Sequence, residues 1–295
     1  MKLKIAKRED LKLRIGLSGP SGYGKTYSAL LMAYGMTNDW SKIAVIDTEN
    51  GSANLYSNLG SYNVLSLIDP YSPEHYIEAI KACENASMEV IIIDSITHEW
   101  NGNGGCLDIH SKLGGRFQDW SKVTPTHQAF IDAVLKSRCH IITTVRSKID
   151  YSMDIGSNGK TKVVKHGLKP ITREGLDYEM TLFFELVNDN HLAKVSKDRT
   201  QMFSGRPEFI IGKATGKRLL AWSQANSLIN TSSQEIKECT TIDGLNHIYK
   251  KYPSIQDALY PKILNRKKQL EQQLIANPKD LKNGTYTPSP THNRR

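Results

Sequence analysis

The apolar residues of this chain form short strand-like runs that are separated by helix-like segments. Leu13, Ile15 and Leu17 alternate with polar or small neighbours, which predicts a strand. Residues 27–36 are apolar and free of helix breakers until Gly35, which predicts a helix soon after that strand.

Three further runs, at 42–47, 89–94 and 139–146, are apolar almost throughout, as expected of strands that are covered on both faces. Ser72 precedes a proline and a glutamate, which is typical of a helix start, and Thr124 precedes another proline in the same way. Strands and helices that alternate in this order predict an α/β fold with a doubly wound, mostly parallel sheet.

The pattern changes after residue 175. Residues 176–187 and 191–196 are two apolar runs separated by Asn188-Asp189-Asn190, which predicts a hairpin at the edge of the sheet. Residues 206–224 then predict a short strand and a helix that complete the core.

These patterns predict a core at residues 1–225, a small helical C-terminal appendage at 226–276 and a basic, disordered tail at 277–295. The stretch 223–233 is rich in Ser, Thr and Asn and is predicted to be a linker. Helix starts are predicted near Ser233, Thr241 and Ser254, and the tail is polar and punctuated by proline.

Two long segments of the core have no predicted secondary structure. Residues 98–123 contain five glycines together with Trp100, Phe117 and Trp120, which indicates a surface insertion near the ligand crevice. Residues 150–172 are basic and glycine-containing, so they are predicted to be a mobile binding loop or, alternatively, a solvated hairpin extension.

The most specific motif follows the first predicted strand. The stretch Gly19-Pro20-Ser21-Gly22-Tyr23-Gly24-Lys25-Thr26 matches G-x-x-x-x-G-K-[ST] at every required position and lies between a strand and a helix. Such a loop directs backbone N–H groups at phosphate oxygens, and the positive end of the helix adds to the attraction. We therefore expect these residues to bind ATP, with Lys25 on the β and γ phosphates and Thr26 on Mg²⁺.

Carboxylates end two of the predicted central strands. Asp94 is expected to hold Mg²⁺ together with Thr26, because a buried strand ending in Asp follows the phosphate loop by about the separation that is typical of nucleoside triphosphatases. Glu49 lies just beyond the end of another strand, in the crevice where open α/β sheets bind ligands. It is a candidate catalytic base, although a solvated loop acid is the alternative.

Composition and charge indicate the expected cellular location and the class of partner. The four cysteines are far apart and lack C-x-x-C spacing, so neither disulfides nor a zinc site is predicted, and a reduced cytoplasm is the expected location. No secretory signal or membrane span is predicted, and no membrane partner is expected. The formal net charge of +9 is concentrated in residues 146–173 and 262–295, which favours a polyanionic partner.

The order of these motifs over residues 10–225 resembles the RecA-type recombinase core in the compact form found in many bacteriophages. The resemblance implies a RecA-like P-loop NTPase fold. It also implies that the protein is located in the host cell cytoplasm if the chain is phage-encoded. The segment Ile46-Asp47-Thr48-Glu49 is similar to the one that carries the hydrolytic glutamate of the family. Tyr56, seven residues later, is implied to stack on the adenine.

The resemblance also implies further site residues. Thr144 occupies the place of the γ-phosphate sensor, where the family usually has glutamine, and Lys197 and Arg199 match cations that enter the ATP site of a neighbouring subunit. The basic segment that follows the sensor strand is similar to the DNA-binding loops. The implied contacts to DNA are Arg146, Lys148, Lys160, Lys162, Lys165, Lys169 and Arg173.

The leading interpretation is an ATPase, stimulated by DNA, that assembles on single-stranded DNA as a homo-oligomeric ring or filament and promotes annealing or recombination. A single-strand binding protein is a further candidate partner. Two alternatives stay open: a replication motor or helicase loader, and a nucleotide-controlled binding module in which hydrolysis is incidental.

Overall fold

The structure is a computed structural model that describes Leu3 and residues 11–155 and 161–276; for residues 151–155, 161–166, 226 and 273–276 it describes the backbone only. The chain divides into two compact units, one formed by residues 11–223 and one whose described part is almost entirely residues 224–276. Each unit has a hydrophobic core of its own.

Within the described residues, nine strands form one sheet in the order β3-β2-β4-β5-β1-β7-β8-β9, with β6 paired to β5. Neighbours from β3 to β7 run parallel, whereas the β7–β8, β8–β9 and β5–β6 pairs are antiparallel. The strands are β1 Arg14–Gly19, β2 Ile43–Asp47, β3 Asn63–Ser66, β4 Val90–Asp94, β5 His140–Ile155, β6 Thr161–Pro170, β7 Leu182–Leu186, β8 Leu192–Asp198 and β9 Phe209–Ile210.

The helices of the described residues cover both faces of this sheet and form the second unit. They are α1 Lys25–Thr37, α2 Pro73–Asn85, α3 Thr97–Asn101, α4 Cys106–Lys112, α5 Trp120–Lys136, α6 Leu176–Glu179, α7 Lys213–Glu238, α8 Ile242–Lys251 and α9 Gln256–Ala276. The predicted α/β class with a mostly parallel sheet is confirmed.

Two-sided burial explains the continuous apolar runs of the central strands. Along β4, Ile92 belongs to the core on the α1 side, whereas Ile91 and Ile93 belong to the core on the α2 and α5 side. All three side chains are fully buried. Because successive side chains of a strand point to opposite faces, a strand between two helical layers has to be apolar at every position.

Strand order decides which residues meet at the carboxyl edge of the sheet. β5 lies between β1, which precedes the phosphate loop, and β4, which ends in Asp94. On the far side of β4, Asp47 at the end of β2 is in register with Asp94. The ends of four parallel strands therefore surround one point, where ligands of open α/β sheets bind.

A buried arginine lies at the opposite edge of the sheet, where the parallel strands begin. Arg14 on β1 is 5% exposed, and its guanidinium donates to the carbonyl oxygens of Leu135, Ser137 and Cys139. Burial lowers the pKa of Arg14 to about 10. These bonds satisfy carbonyls at the end of α5 that have no partner within the helix, so Arg14 fixes α5 to the sheet.

Several predicted boundaries were wrong. The glycine-rich segment contains α3 and α4, and α5 begins at Trp120 rather than Thr124, so Pro125 lies inside a helix. The 3₁₀ turn Phe117–Asp119, in which the Asp119 carboxylate accepts the Arg116 backbone N–H at 3.0 Å, leads directly into α5 at Trp120.

The basic segment 150–172 is not a long loop. Its described residues continue β5 and return in β6, paired from Ser147 with Pro170 to Ile155 with Thr161. This is the hairpin alternative of the sequence analysis; its tip, 156–160, lies outside the described residues.

The structure also differs from two predictions of secondary structure later in the chain. Leu176–Glu179 is a short helix rather than the start of a strand, and the predicted linker 223–233 is part of the continuous helix α7. In the second unit, the start of α8 is as predicted, because the Thr241 hydroxyl accepts the Gly244 backbone N–H at 3.1 Å. The predicted tail lies outside the described residues.

No helix among the residues that the structure describes is both long enough and apolar enough to cross a membrane.

Two glycines allow α1 and α7 to approach closely. A Cβ added to Gly216 of α7 would lie 2.0 Å from the Met32 carbonyl oxygen, and one added to Gly35 of α1 would lie 2.1 Å from the Lys213 carbonyl oxygen. Both obstacles are backbone atoms, so they cannot rotate away. This contact requires glycine at both positions.

We expect Gly216→Ala to destabilise the core. Helix propensity alone favours alanine by about 1 kcal/mol, but forced overlap with buried backbone costs about 1–3 kcal/mol, so the net effect should be a loss. The melting temperature should fall by several degrees, at roughly 2–4 °C per kcal/mol. Gly212→Ala is the matched control, because a Cβ at Gly212 meets nothing within 4 Å. A higher melting temperature for Gly216→Ala would show that the helices do not touch there.

Candidate nucleotide-binding site

The phosphate loop has the backbone shape that its glycines predict. Gly22 and Gly24 adopt left-handed conformations with φ of 84° and 86°. Gly24 precedes α1 directly, and a Cβ at this position would lie 2.8 Å from His191 Nδ1. The loop therefore opens onto the positive end of α1, where an anion is stabilised by unpaired N–H groups.

Lys25 is held against this loop. Its ammonium group donates to the Pro20 carbonyl oxygen at 2.8 Å, and the residue is 9% exposed. Burial lowers the pKa of Lys25, although the charges of Asp94 and Glu49 act in the opposite direction. A phosphate that enters the loop can take over this donor and supply the missing negative charge.

The carboxylate of Asp94 is almost completely buried at the bottom of the candidate site. It is 1% exposed, its Oδ2 accepts the Thr26 hydroxyl at 2.6 Å, and its Oδ1 accepts the Thr144 hydroxyl. Burial raises the pKa of Asp94, while the two hydroxyl donors partly offset that effect. Thr144 is itself fully buried and does not line the cleft, so its hydroxyl positions Asp94 in this state of the protein.

Thr26 and Asp94 fit the Mg²⁺ that the phosphate loop implies. They present a hydroxyl and a carboxylate oxygen in direct contact, and hard oxygen donors are what Mg²⁺ prefers. The raised pKa of Asp94 has the same origin, since a buried carboxylate without a cation is only partly compensated.

Glu49 lies on a loop that Asp47 shapes. Asp47 is 2% exposed. Its carboxylate accepts hydrogen bonds from the backbone N–H groups of Glu49 at 2.7 Å and Ala53 at 3.0 Å. Asp47 is thus structural, while the Glu49 side chain reaches the cleft.

The Glu49 carboxylate forms an ion pair with Arg146 of β5, with 2.8 Å between Nε and Oε1. Burial raises the pKa of Glu49, but the hydrogen bond and charge of Arg146 outweigh it, so the pKa is lowered overall. Arg146 was predicted to contact DNA; in the structure its guanidinium donates to the Glu49 carboxylate. Glu49 is therefore ionised at neutral pH. The side chain of its partner, Arg146, is 42% exposed.

A cleft of about 430 Å³ joins these groups. Its lining residues are Ser21, Gly22, Gly24, Lys25, Thr26, Tyr27, Glu49, Ser52, Tyr56, Asp94 and His191. Eight of them were predicted from the sequence, and Tyr27, Ser52 and His191 were not. The remaining loop residues Gly19, Pro20 and Tyr23 support the cleft from behind; Tyr23, for instance, provides a carbonyl oxygen 2.9 Å from His191 Nδ1.

Two tyrosines flank the mouth of this cleft. The rings of Tyr27 and Tyr56 are 5.9 Å apart and inclined by 56°, and Tyr27 is 42% exposed. Tyr56 was predicted to stack on the adenine. Tyr27 gave a usable sequence signal as well, because it is an exposed aromatic residue directly after the lysine and threonine of the motif.

Behind Glu49 lies a buried polar network that the sequence analysis missed. The Thr48 hydroxyl accepts the Ser95 backbone N–H at 2.9 Å and lies 2.8 Å from His98 Nδ1. Burial, followed by the charge of Arg146, lowers the pKa of His98. The lowered pKa keeps the imidazole neutral at pH 7, and the Tyr71 ring stacks on it at 5.0 Å and fixes its position.

The two predicted trans-acting cations do not line the cleft of their own chain. Lys197 Nζ donates to the Asp177 carbonyl oxygen, and an Arg199 guanidinium nitrogen donates to the Tyr178 carbonyl oxygen, both at 2.6 Å. Burial lowers the pKa of Lys197, and the neighbouring Arg199 adds to this effect. Arg199 is exposed and therefore available to another molecule.

Three predicted DNA contacts line one groove beside the hairpin. Lys148, Lys169 and Arg173 border a space of about 520 Å³, here called the basic groove, whose lining also includes Trp100, Asp150 and Glu174. Lys169 forms an ion pair with Glu174 at 2.8 Å. Of the other predicted contacts, Lys160 lies outside the described residues, and the side chains of Lys162 and Lys165 are not described.

Comparison with known families agrees with this geometry. The sequence model of a family described as AAA domain matches residues 11–228, well over half of the chain. No curated protein matches the chain. The phosphate loop, the Asp94 strand and the parallel sheet are the features expected of such a domain. The chain therefore belongs to this AAA domain family and is a nucleotide-binding ATPase of the P-loop NTPase class.

Proposed function

We propose that this ATPase is RecA-like, assembles as a homo-oligomer on single-stranded DNA and promotes annealing or recombination. One observation carries the proposal: strand β5 bears Thr144, Arg146 and Lys148 at alternate positions. Thr144 contacts the carboxylate of Asp94, Arg146 contacts the carboxylate of Glu49, and Lys148 lines the basic groove. Alternate residues share one face of a strand, so a single rigid element connects the hydrolytic site to a candidate DNA surface.

Hydrolysis requires an ionised base and positive charge on the phosphates. Glu49 is ionised, because the hydrogen bond and charge of Arg146 outweigh burial and lower its pKa, and it faces the cleft that contains Lys25. Its carboxylate is the group that orients the attacking water and takes its proton. Thr26 and Asp94 would hold the Mg²⁺ that accompanies ATP, and the ion would neutralise charge on the phosphates.

The Arg146–Glu49 ion pair suggests how DNA controls this chemistry. While Arg146 holds the carboxylate, Glu49 is less available to a water molecule. A DNA phosphate that binds near Lys148 attracts the Arg146 guanidinium, which is half-exposed and two residues away on the same face. Release of Glu49 then accompanies DNA binding, which would make the ATPase DNA-stimulated.

The same ion pair also favours the second candidate, a nucleotide-controlled binding module. If nothing releases Glu49, ATP binding orders the site and turnover stays slow. The two functions differ in one measurement, because only the first predicts that single-stranded DNA increases the ATPase rate. A rate that is unchanged by saturating DNA would favour the module.

We expect Glu49→Gln to retain ATP binding and to lose turnover, because the amide is the same size but a poor base. General-base catalysis contributes roughly 10²–10⁴-fold, so the rate should fall by at least about 100-fold. Lys25→Ala should lose turnover and ATP affinity together. Titration with a fluorescent ATP analogue, next to phosphate release, separates the two effects.

Glu78→Gln is the control for charge removal, since Glu78 is an exposed acid of α2. It should keep the parent rate. Parent-like hydrolysis by Glu49→Gln would show that another group activates the water.

Arg199→Ala is expected to impair hydrolysis while ATP binding is unchanged, because Arg199 does not line the cleft of its own chain. A trans-acting arginine contributes roughly 10³–10⁵-fold in related enzymes, so the loss should be large. Mixing Arg199→Ala with Lys25→Ala should restore part of the rate, since one mixed interface combines an intact loop with an intact arginine.

Arg206→Ala serves as the control, because Arg206 is an exposed arginine of the loop after β8. If the two variants co-assemble by light scattering and no activity returns, Arg199 does not act in trans.

Simultaneous Lys148→Ala and Lys169→Ala should weaken binding to every single-stranded sequence alike. If each lysine contacts one phosphate, the slope of log affinity against log salt should fall by about 1.4, at roughly 0.7 per contact. The control is the pair Lys81→Ala and Lys136→Ala, two exposed lysines of α2 and α5. Fluorescence anisotropy over a salt series measures both slopes. An unchanged slope in the first variant would exclude the groove as the DNA site.

A further inference from the structure

A buried cluster of three different donor groups lies apart from the nucleotide cleft. Glu99 of α3, Cys106 at the start of α4 and His127 of α5 are 1%, 0% and 6% exposed. Their donor atoms lie within 4.8 Å of one another. Glu99 Oε1 is 3.1 Å from Cys106 Sγ and 2.9 Å from His127 Nδ1, and Sγ and Nδ1 are 3.8 Å apart.

The polar atoms of the three side chains converge on one point. Cys106 and His127 both direct their polar atoms at the same Glu99 oxygen. A buried carboxylate needs compensation, which an imidazole nitrogen at 2.9 Å and a weak S–H donor at 3.1 Å supply here and which a cation would supply more strongly.

We propose that Glu99, Cys106 and His127 bind one Zn²⁺ ion. Zinc takes sulfur at about 2.3 Å and nitrogen or oxygen at about 2.0–2.2 Å, so the donor atoms of a tetrahedral site are roughly 3.3–3.8 Å apart. The Sγ to Nδ1 separation of 3.8 Å lies at the upper end of this range, and the separations of 3.1 and 2.9 Å from Glu99 Oε1 lie just below it. A shift of a few tenths of an ångström converts the cluster into three ligands, and the second Glu99 oxygen or a water completes the fourth position.

The donor set selects the metal. Thiolate and imidazole ligands favour zinc and other borderline-soft ions over Mg²⁺, which prefers oxygen donors throughout. On binding, the Cys106 thiol releases its proton to solvent and the thiolate bonds the metal, while His127 coordinates as a neutral imidazole. Because the cluster is closed to solvent, the metal is expected to enter during folding.

The surroundings hold the ligands in place. The Trp100 ring packs edge-on against the His127 ring at 5.8 Å, and Phe130 packs near the same imidazole at 6.4 Å. The metal would join three helices, α3, α4 and α5. Two residues before Glu99, the Thr97 hydroxyl accepts the Arg146 backbone N–H at 2.9 Å. A structural zinc would thus fix the insertion next to the strand that bears the ATPase residues.

The test is the metal content of the full chain, purified without an affinity tag from zinc-supplemented cells and dialysed against metal-free buffer. We expect about one zinc per chain in the parent protein and a loss of roughly tenfold or more in Cys106→Ser and in His127→Gln. Cys83→Ser is the matched control, since Cys83 is a buried thiol outside the cluster, and it should retain zinc. A parent protein without zinc, or equal zinc in Cys106→Ser, would overturn the proposal.

A second measurement needs no variant that folds poorly. Unfolding the parent protein and refolding it with Co²⁺ should produce the thiolate-to-cobalt charge-transfer band in the near ultraviolet, together with the visible bands of a tetrahedral site. Glu99→Gln, which preserves shape, should shift or lose these bands if it folds by circular dichroism. Refolded parent protein that shows no such band in excess Co²⁺ has no thiolate-containing metal site, and the proposal fails.

Discussion

The buried carboxylate of Asp94 is the constraint around which the core is arranged. A charge that is 1% exposed is tolerated only when hydrogen bonds or a cation compensate for its lost hydration. Thr26 supplies one hydrogen bond from the helix after β1, and Thr144 supplies the other from β5. Both donors are available only because β5 lies between β1 and β4. The strand order of the sheet and the chemistry of the site therefore depend on each other.

Strand β5 has a second role. Its first part is a buried central strand, and its continuation leaves the sheet core to pair with β6. At the transition it bears the arginine that holds Glu49. The backbone of β5 is paired with β1 as far as Arg146 and with β6 from Ser147, so pairing continues along its length. The basic hairpin is thus joined through one strand to the residue that contacts Glu49.

The insertion after β4 is more ordered than its glycines suggest. Trp120 is stacked on His110 at 4.1 Å and on Trp100 at 5.7 Å, so the three helices α3, α4 and α5 are joined through one aromatic column. Under this column lies the cluster of Glu99, Cys106 and His127. Packing of this kind fixes the orientation of Trp100 at the basic groove, and it explains how a glycine-rich segment forms well-defined helices.

The sequence by itself determined the α/β class, the phosphate loop, Glu49 and Asp94, because each depends on local pattern. Two-sided burial makes central strands apolar throughout, and a motif of fixed spacing binds phosphate with its own backbone. Tertiary structure alone decided the partners of these residues. Arg146 is 97 positions from Glu49, and Thr144 is 50 positions from Asp94. Cys106 and His127 are separated by 21 residues, so no spacing rule connects them. Their contacts follow from strand order and helix packing, which depend on the whole core and not on any short stretch of it.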